Sequence, residues 1–132
     1  MKTLKFDIPI YNIQVDLLQI ESKKDLRNVH TIMRSINCEQ SFLDDVESNI
    51  KDGCFDGGVI YRNLFLRKML VIFYPMSDDE TRAEVYSHEK RHIEDRILEH
   101  VSVDDIESAA LLAGYLARKF YHFWKIVKKE KE

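Results

Sequence analysis

His88-Glu89-Lys90-Arg91-His92 spaces two imidazoles four residues apart, with a carboxylate directly after the first. On a helix advancing 100° per residue, His88 and His92 point about 40° apart, one turn up the same face, so both can reach one divalent cation. Glu89 then stands beside them, able to exchange a proton with a water at the cation without being a ligand itself. Neutral imidazoles suit Zn²⁺, and hydrolytic zinc sites take a third protein ligand and keep a fourth position for water or substrate. The implied chemistry is hydrolysis of a peptide or amide by a metal-activated water with Glu89 as general base. The pentad also arises by chance, so the surrounding chain must supply a helix, a third ligand and a cleft.

The chain around it is suited to that task. Ser77 with Glu80 three residues later reads as a capping box that starts a helix at about residue 78, with an acidic first turn. Tyr86, Ile93 and Ile97 form an apolar stripe beside the histidine face, so one side of the helix can pack while the other meets a cleft. Metzincin spacing is excluded, because positions 95 and 98 hold Asp95 and Leu98 where that class needs Gly and His. A glutamate from the next helix is the natural alternative. Ser102-Val103-Asp104-Asp105 breaks the pattern, and Ile106 to about Lys128 resumes helical periodicity with Glu107 in its first turn. Glu107 heads a row of small residues, Ala110, Gly114 and Ala117, that would let the second helix approach the first and carry the carboxylate to the metal. The competing reading is local, with Asp104 and Glu107 forming a capping box.

With its pentad, its acidic turn and the run Glu107-Ser108-Ala109-Ala110-Leu111-Leu112-Ala113-Gly114-Tyr115-Leu116, the chain resembles small single-domain H-E-x-x-H proteins of bacterial, phage and mobile-element genomes, akin to the minimal gluzincin peptidases. The resemblance covers roughly residues 68 to 120. It implies that His88, His92 and Glu107 bind zinc and that Glu89 is the general base. Leu111 stands where that pattern favours an aromatic residue, a departure that touches the wall of the site and none of the metal ligands.

Other polar residues near the pentad have plainer readings. Asp95 and Glu99 project on nearly the histidine side and suit solvated charges better than acceptors for an imidazole N–H. His100 falls toward the apolar side as a structural histidine. Tyr115, Tyr121 and His122 could stabilise an oxyanion, but their spacing fits an ordinary aromatic core.

These helices need a scaffold, and the first half supplies it. Leu4 to about Ile20 reads as a strand or hairpin, with Pro9 near an edge or strand start. Lys23 to Ile36 and Phe42 to Ile50 read as helices, the second ended by Gly53. Gly57-Gly58 introduces a strand at Val59-Ile60-Tyr61, and Lys68 to Tyr74 forms another. That last strand could present an open edge for an extended peptide, or lie wholly inside the sheet. The order implies an α+β fold, a minimal zincin-like domain whose small sheet packs on the pentad helix and the C-terminal helix. At 132 residues the chain is expected to form one domain, residues 1–132.

A formal net charge of −3 gives no reason to expect nucleic acid, although Arg62, Arg67 and Lys68 make a small basic cluster. The N-terminal stretch lacks signal-peptide character, and no run is long and apolar enough for a membrane span. Cys38 and Cys54 lack C-x-x-C spacing, so a reduced cytoplasmic setting is expected, with neither thiol on zinc. The expected partner is a peptide or protein substrate, with a further protein partner open. Two other functions compete: a non-catalytic zinc-stabilised adaptor, and a metal-free interaction domain in which the pentad is coincidental. The carboxylate at Glu89 favours hydrolysis, since a purely structural zinc site has no need of a base there.

Overall fold

The computed structural model describes residues 1–101 and 105–129. Lys2–Ile8 (β1) and Ile13–Gln19 (β2) form an antiparallel hairpin in which Phe6 stands opposite Val15. Gly58–Asn63 (β3) and Lys68–Phe73 (β4) form a second hairpin, with Gly58 opposite Phe73. The hairpins join through a parallel β2–β4 pairing, giving a four-stranded sheet in the order β1-β2-β4-β3.

Strand composition follows position in the sheet. β1 alternates, burying Phe6 and Ile8 and exposing Lys5 and Asp7, as an edge strand covered on one face should. β4 reads Met69-Leu70-Val71-Ile72-Phe73 without a polar break, and all five are buried, because neighbouring strands flank it and helices cover both faces. The strand before the pentad helix is therefore interior. The open edge on that side of the sheet belongs to β3.

A parallel join needs a crossover, and the chain between β2 and β4 makes it through Leu26–Ser35 (α1), Gln40–Lys51 (α2) and β3. α1 and α2 cover one sheet face, burying Val29, Met33, Val46 and Ile50 against Leu18, Leu70 and Ile72. Asp79–Val101 (α3) and Ile106–Lys128 (α4) cover the other face, over Val15, Leu17, Val71 and Phe73. The fold is α+β, with helices on both faces of a mixed sheet. The helices and the strands fall where the sequence pattern expects them; the pairing of β3 with β4 as a second hairpin and the layer formed by α1 and α2 on the opposite face are what the pattern did not specify.

α3 is held by a buried polar anchor two residues before the pentad. The Tyr86 hydroxyl donates to Gln19 Oε1 at 2.6 Å, and Gln19 Nε2 donates to the carbonyls of Ile20 and Tyr74, each at 3.0 Å. With those partners satisfied, burying Tyr86 among Phe73, Phe120 and Phe123 carries no orphaned polar atom. α4 returns antiparallel to α3, and Lys128 at its end pairs with Asp79 at the start of α3, 2.7 Å apart. Among the described residues no helix is long and apolar enough to cross a membrane.

Helix starts differ in detail from the sequence reading. Asp78, not Ser77, caps α3 by accepting from the Thr81 amide at 2.7 Å, while the Ser77 hydroxyl donates to Asp56. Asp105 caps α4 by accepting from the Ser108 amide at 3.0 Å. Asp104, the other capping candidate, lies outside the described residues.

Candidate metal centre

Residues 88–92 lie in the middle of α3, so the pentad has the helical geometry its spacing requires. The Nε2 atoms of His88 and His92 are 3.0 Å apart. Two nitrogens bound at 2.0–2.1 Å in a tetrahedral zinc shell stand about 3.3 Å apart, so the rings converge as a chelating pair does. One ring can also donate to the other, which makes the same approach tolerable without a cation. Glu89 Oε1 is 3.8 Å from His88 Nε2, and ligand atoms of His88, Glu89 and His92 all fall within 4.8 Å of one another.

The three side chains sit in different environments. The His88 side chain is 67% exposed and that of Glu89 only 7%. Burial pushes the Glu89 carboxyl above the ordinary carboxylate range, opposed by the positive potential of His88, His92 and Arg96. A carboxylate with that bias accepts a proton more readily than a solvated one, as a general base must. The donor set of two imidazoles and an adjacent carboxylate suits Zn²⁺ in ligand type.

Gly58 determines how closely α3 approaches the edge strand. A methyl group on its Cα would stand 3.2 Å from Glu89 Cγ, from the Ile72 carbonyl oxygen and from Phe73 Cδ1. The glycine therefore leaves room for the Glu89 stem against β3, a role hidden in a sequence where Gly57-Gly58 reads as strand punctuation. Arg96, seven residues after Glu89, was also missed. It is half-buried, adds to the potential on Glu89, and its Nε has no hydrogen-bond partner among the described residues.

The structure brings His88, Glu89 and His92 together and does not bring Glu107 to them. Glu107, Ala110, Gly114 and Ala117 are all exposed; Ala117 edges the groove between α4 and α3 with Ser87, Lys90, Arg91 and Glu94, but the row is not a close-packed contact that carries Glu107 to the histidines. A methyl at Gly114 would meet nothing within 4 Å. The Asp79–Lys128 pair sets the hairpin register, on which Glu107 stands level with His100, eight residues and about 12 Å of helix rise beyond His92.

The remaining candidates are elsewhere. Asp95 pairs with Arg91 at 3.2 Å on the exposed side of α3. Glu99 and His100 line a shallow pocket with Arg62 and Leu64, and His100 is exposed although its helical position falls toward the apolar side. The Tyr115 hydroxyl donates to the Asp7 carbonyl at 2.5 Å, which ties it to β1 at the far side of the sheet. Tyr121 and His122 are exposed on α4. Cys38 is buried and Cys54 exposed, and neither joins the group.

No family model, curated protein or solved structure matches this chain.

Proposed function

We propose that this chain is a zinc-dependent hydrolase, with peptides or proteins as the substrate class, in a minimal zincin-like arrangement. The observation that carries the reading is the convergence of the His88 and His92 Nε2 atoms beside a buried carboxylate, Glu89. His88 and His92 would hold the ion. When bound, zinc supplies a Lewis acid that activates water at neutral pH and polarises a carbonyl.

This chain's own residues then have definite tasks. The Tyr86–Gln19 anchor fixes α3 just before His88, so the imidazoles are presented from a rigid element. Glu89, in a partly desolvated position, takes a proton from water and later returns it to the leaving nitrogen. The free edge of β3, beside the same helix, offers main-chain donors and acceptors along which an extended substrate can lie. Glu107, assigned to zinc by the resemblance, stands about 12 Å along the hairpin from His92 and reaches the ion in this proposal only if α4 slides along α3 by that distance as well as turning about its axis. The proposal keeps the cytoplasm as its setting.

Metal analysis by mass spectrometry tests it, using untagged protein and its His92→Ala, Glu107→Ala and Glu89→Gln variants. One zinc per chain, lost in His92→Ala and kept in Glu89→Gln with loss of peptide hydrolysis, is the expected pattern. Glu107→Ala separates the ligand sets, since loss of zinc there requires the rearrangement and retention assigns the ion to the histidines alone. Native protein that takes no zinc when it is offered overturns the hydrolase reading.

A further inference from the structure

α3 and β3 run side by side in the same direction. Glu89 Cγ lies over Gly58 at the start of the strand, and Glu99 and His100 share a pocket with Arg62 and Leu64 at its end. Ten residues of helix rise about 15 Å and five of strand about 17 Å, so the two elements stay level over this length. The outer edge of the strand is open. Because the Tyr74 amide donates to the Gly57 carbonyl, the antiparallel register gives the bonds to β4 to the odd-numbered residues, and Gly58, Ile60 and Arg62 turn their main-chain groups outward. Ile60 packs on the α3 side of the sheet, and Val59 and Tyr61 pack on the other.

Arg96 projects from α3 between Glu89 and His92, about 20° from the first and about 40° from the second. Helical side chains lean toward the N-terminus of their helix, which here is the direction of the pentad. Arg96 is half-buried, its Nε is sealed from water, and its positive potential reaches Glu89. It nevertheless makes no hydrogen bond or ion pair with any described residue. The acidic groups near it on the helix are engaged or placed elsewhere: Glu94 pairs with Lys90, Asp95 pairs with Arg91, and Glu99 stands in the pocket with Arg62. Withdrawing a guanidinium from water without an acceptor is unfavourable, and its planar fork of donors matches a carboxylate.

We propose that Arg96 determines specificity by receiving a carboxylate of the substrate, an extended peptide that carries an acidic side chain or its free C-terminus two or three residues from the scissile bond. The proposal rests on the hydrolase reading of the pentad. From the level midway between His88 and His92 to Arg96 the helix rises about 9 Å, which an extended peptide on the β3 edge covers in roughly two to three residues. Alternate side chains of such a peptide face α3, so one of them can meet the guanidinium while the main chain pairs with Gly58, Ile60 and Arg62.

Fluorescence anisotropy tests it with rhodamine-labelled alanine-threonine decapeptides that differ in one residue, Glu or Gln, or in the C-terminus, free or amidated. Glu89→Gln protein is used with zinc and again with chelator, so that affinity is read apart from hydrolysis and from the metal. The Glu peptide or the free-acid peptide should bind at least about tenfold more tightly than its neutral counterpart, and whichever does so identifies the source of the carboxylate. Arg96→Gln should erase the difference and Arg96→Lys should keep part of it, both with native circular dichroism and unchanged zinc content. In zinc-loaded native protein, mass spectrometry of the products should place the cut at the proposed spacing from that carboxylate. Failure of every peptide to bind, equal affinity for charged and neutral peptides, or a preference that survives Arg96→Gln overturns the proposal. Hydrolysis indifferent to the carboxylate also overturns it and leaves the hydrolase reading standing. A preference erased by Arg96→Gln in a protein that takes no zinc keeps the carboxylate site and removes the hydrolase reading.

Discussion

Two alanine substitutions at glycines should move stability in opposite directions, and the contrast tests how α3 is seated. At Gly58 the added methyl would be 3.2 Å from two atoms with little freedom, the Ile72 carbonyl oxygen and the Phe73 ring, and 3.2 Å from Glu89 Cγ. Overpacking of this kind costs about 1–3 kcal/mol, offset by about 0.4–1 kcal/mol from the stiffer unfolded chain. The net loss should be about 1 kcal/mol, a fall of roughly 3–5 °C in Tm for a domain of this size. At Gly114 the methyl meets nothing, and the site is an exposed helix interior, so alanine should stabilise by up to about 1 kcal/mol. Urea unfolding followed by circular dichroism reads both. The side chain most able to yield to the Gly58 methyl is Glu89, so Gly58→Ala should also impair any hydrolysis while zinc binding by His88 and His92 persists. A Gly58→Ala protein as stable as the native chain, or a destabilised Gly114→Ala, would refute the close approach of Glu89 to β3 or the outward placement of Gly114.

Zinc at about a hundred times its dissociation constant should raise native stability by about 2.7 kcal/mol, and His88→Ala should abolish that gain in a thermal-shift assay with added chelator as the control. Asp25 is partly buried, which pushes its carboxyl up, but hydrogen bonds from the Glu21 and Ser22 amides and the Met1 ammonium outweigh this and hold it below the ordinary range. Its contribution to stability is therefore complete above the ordinary carboxylate range and is lost as pH falls through the depressed folded value. Asp25→Asn should flatten the acid limb of a pH series of urea midpoints, and an unchanged limb would remove Asp25 from that account. Burial pushes the Cys38 thiol up to about 12, so an aromatic disulfide reagent at pH 8 should titrate Cys54 alone in native protein and both thiols in denaturant. Tyr86→Phe leaves Gln19 Oε1 without its donor and should cost about 1–3 kcal/mol, measured by urea unfolding.

Much of the fold was legible because its signals are local. The alternation in β1, the unbroken apolar run of β4 and the periodicity of Ile106–Lys128 each state how many sides of an element are covered. Sheet order is not local. The interior place of β4 depends on its pairing with β2 across more than fifty residues, and nothing in the run Met69–Phe73 records which strand lies on either side. The same holds for α1 and α2, whose apolar faces were visible but whose assignment to the opposite side of the sheet needs the parallel crossover.

The site divides along the same line. His88, Glu89 and His92 are brought together by helix geometry alone, over four residues, so sequence spacing was enough. Glu107 belongs to another helix, and its distance from His92 depends on the turn between them and on which side of α4 packs. Small residues every three or four positions describe equally well a helix contact and a face that meets only water. The apolar periodicity decides between them: Leu112, Leu116, Phe120 and Phe123 are buried on the packed side of α4, Glu107, Ala110 and Gly114 fall on the exposed side, and Ala117 edges the groove toward α3. Gly58 shows the converse. It precedes Glu89 by thirty-one residues and shapes the space around it, because the edge strand and the pentad helix meet only in three dimensions.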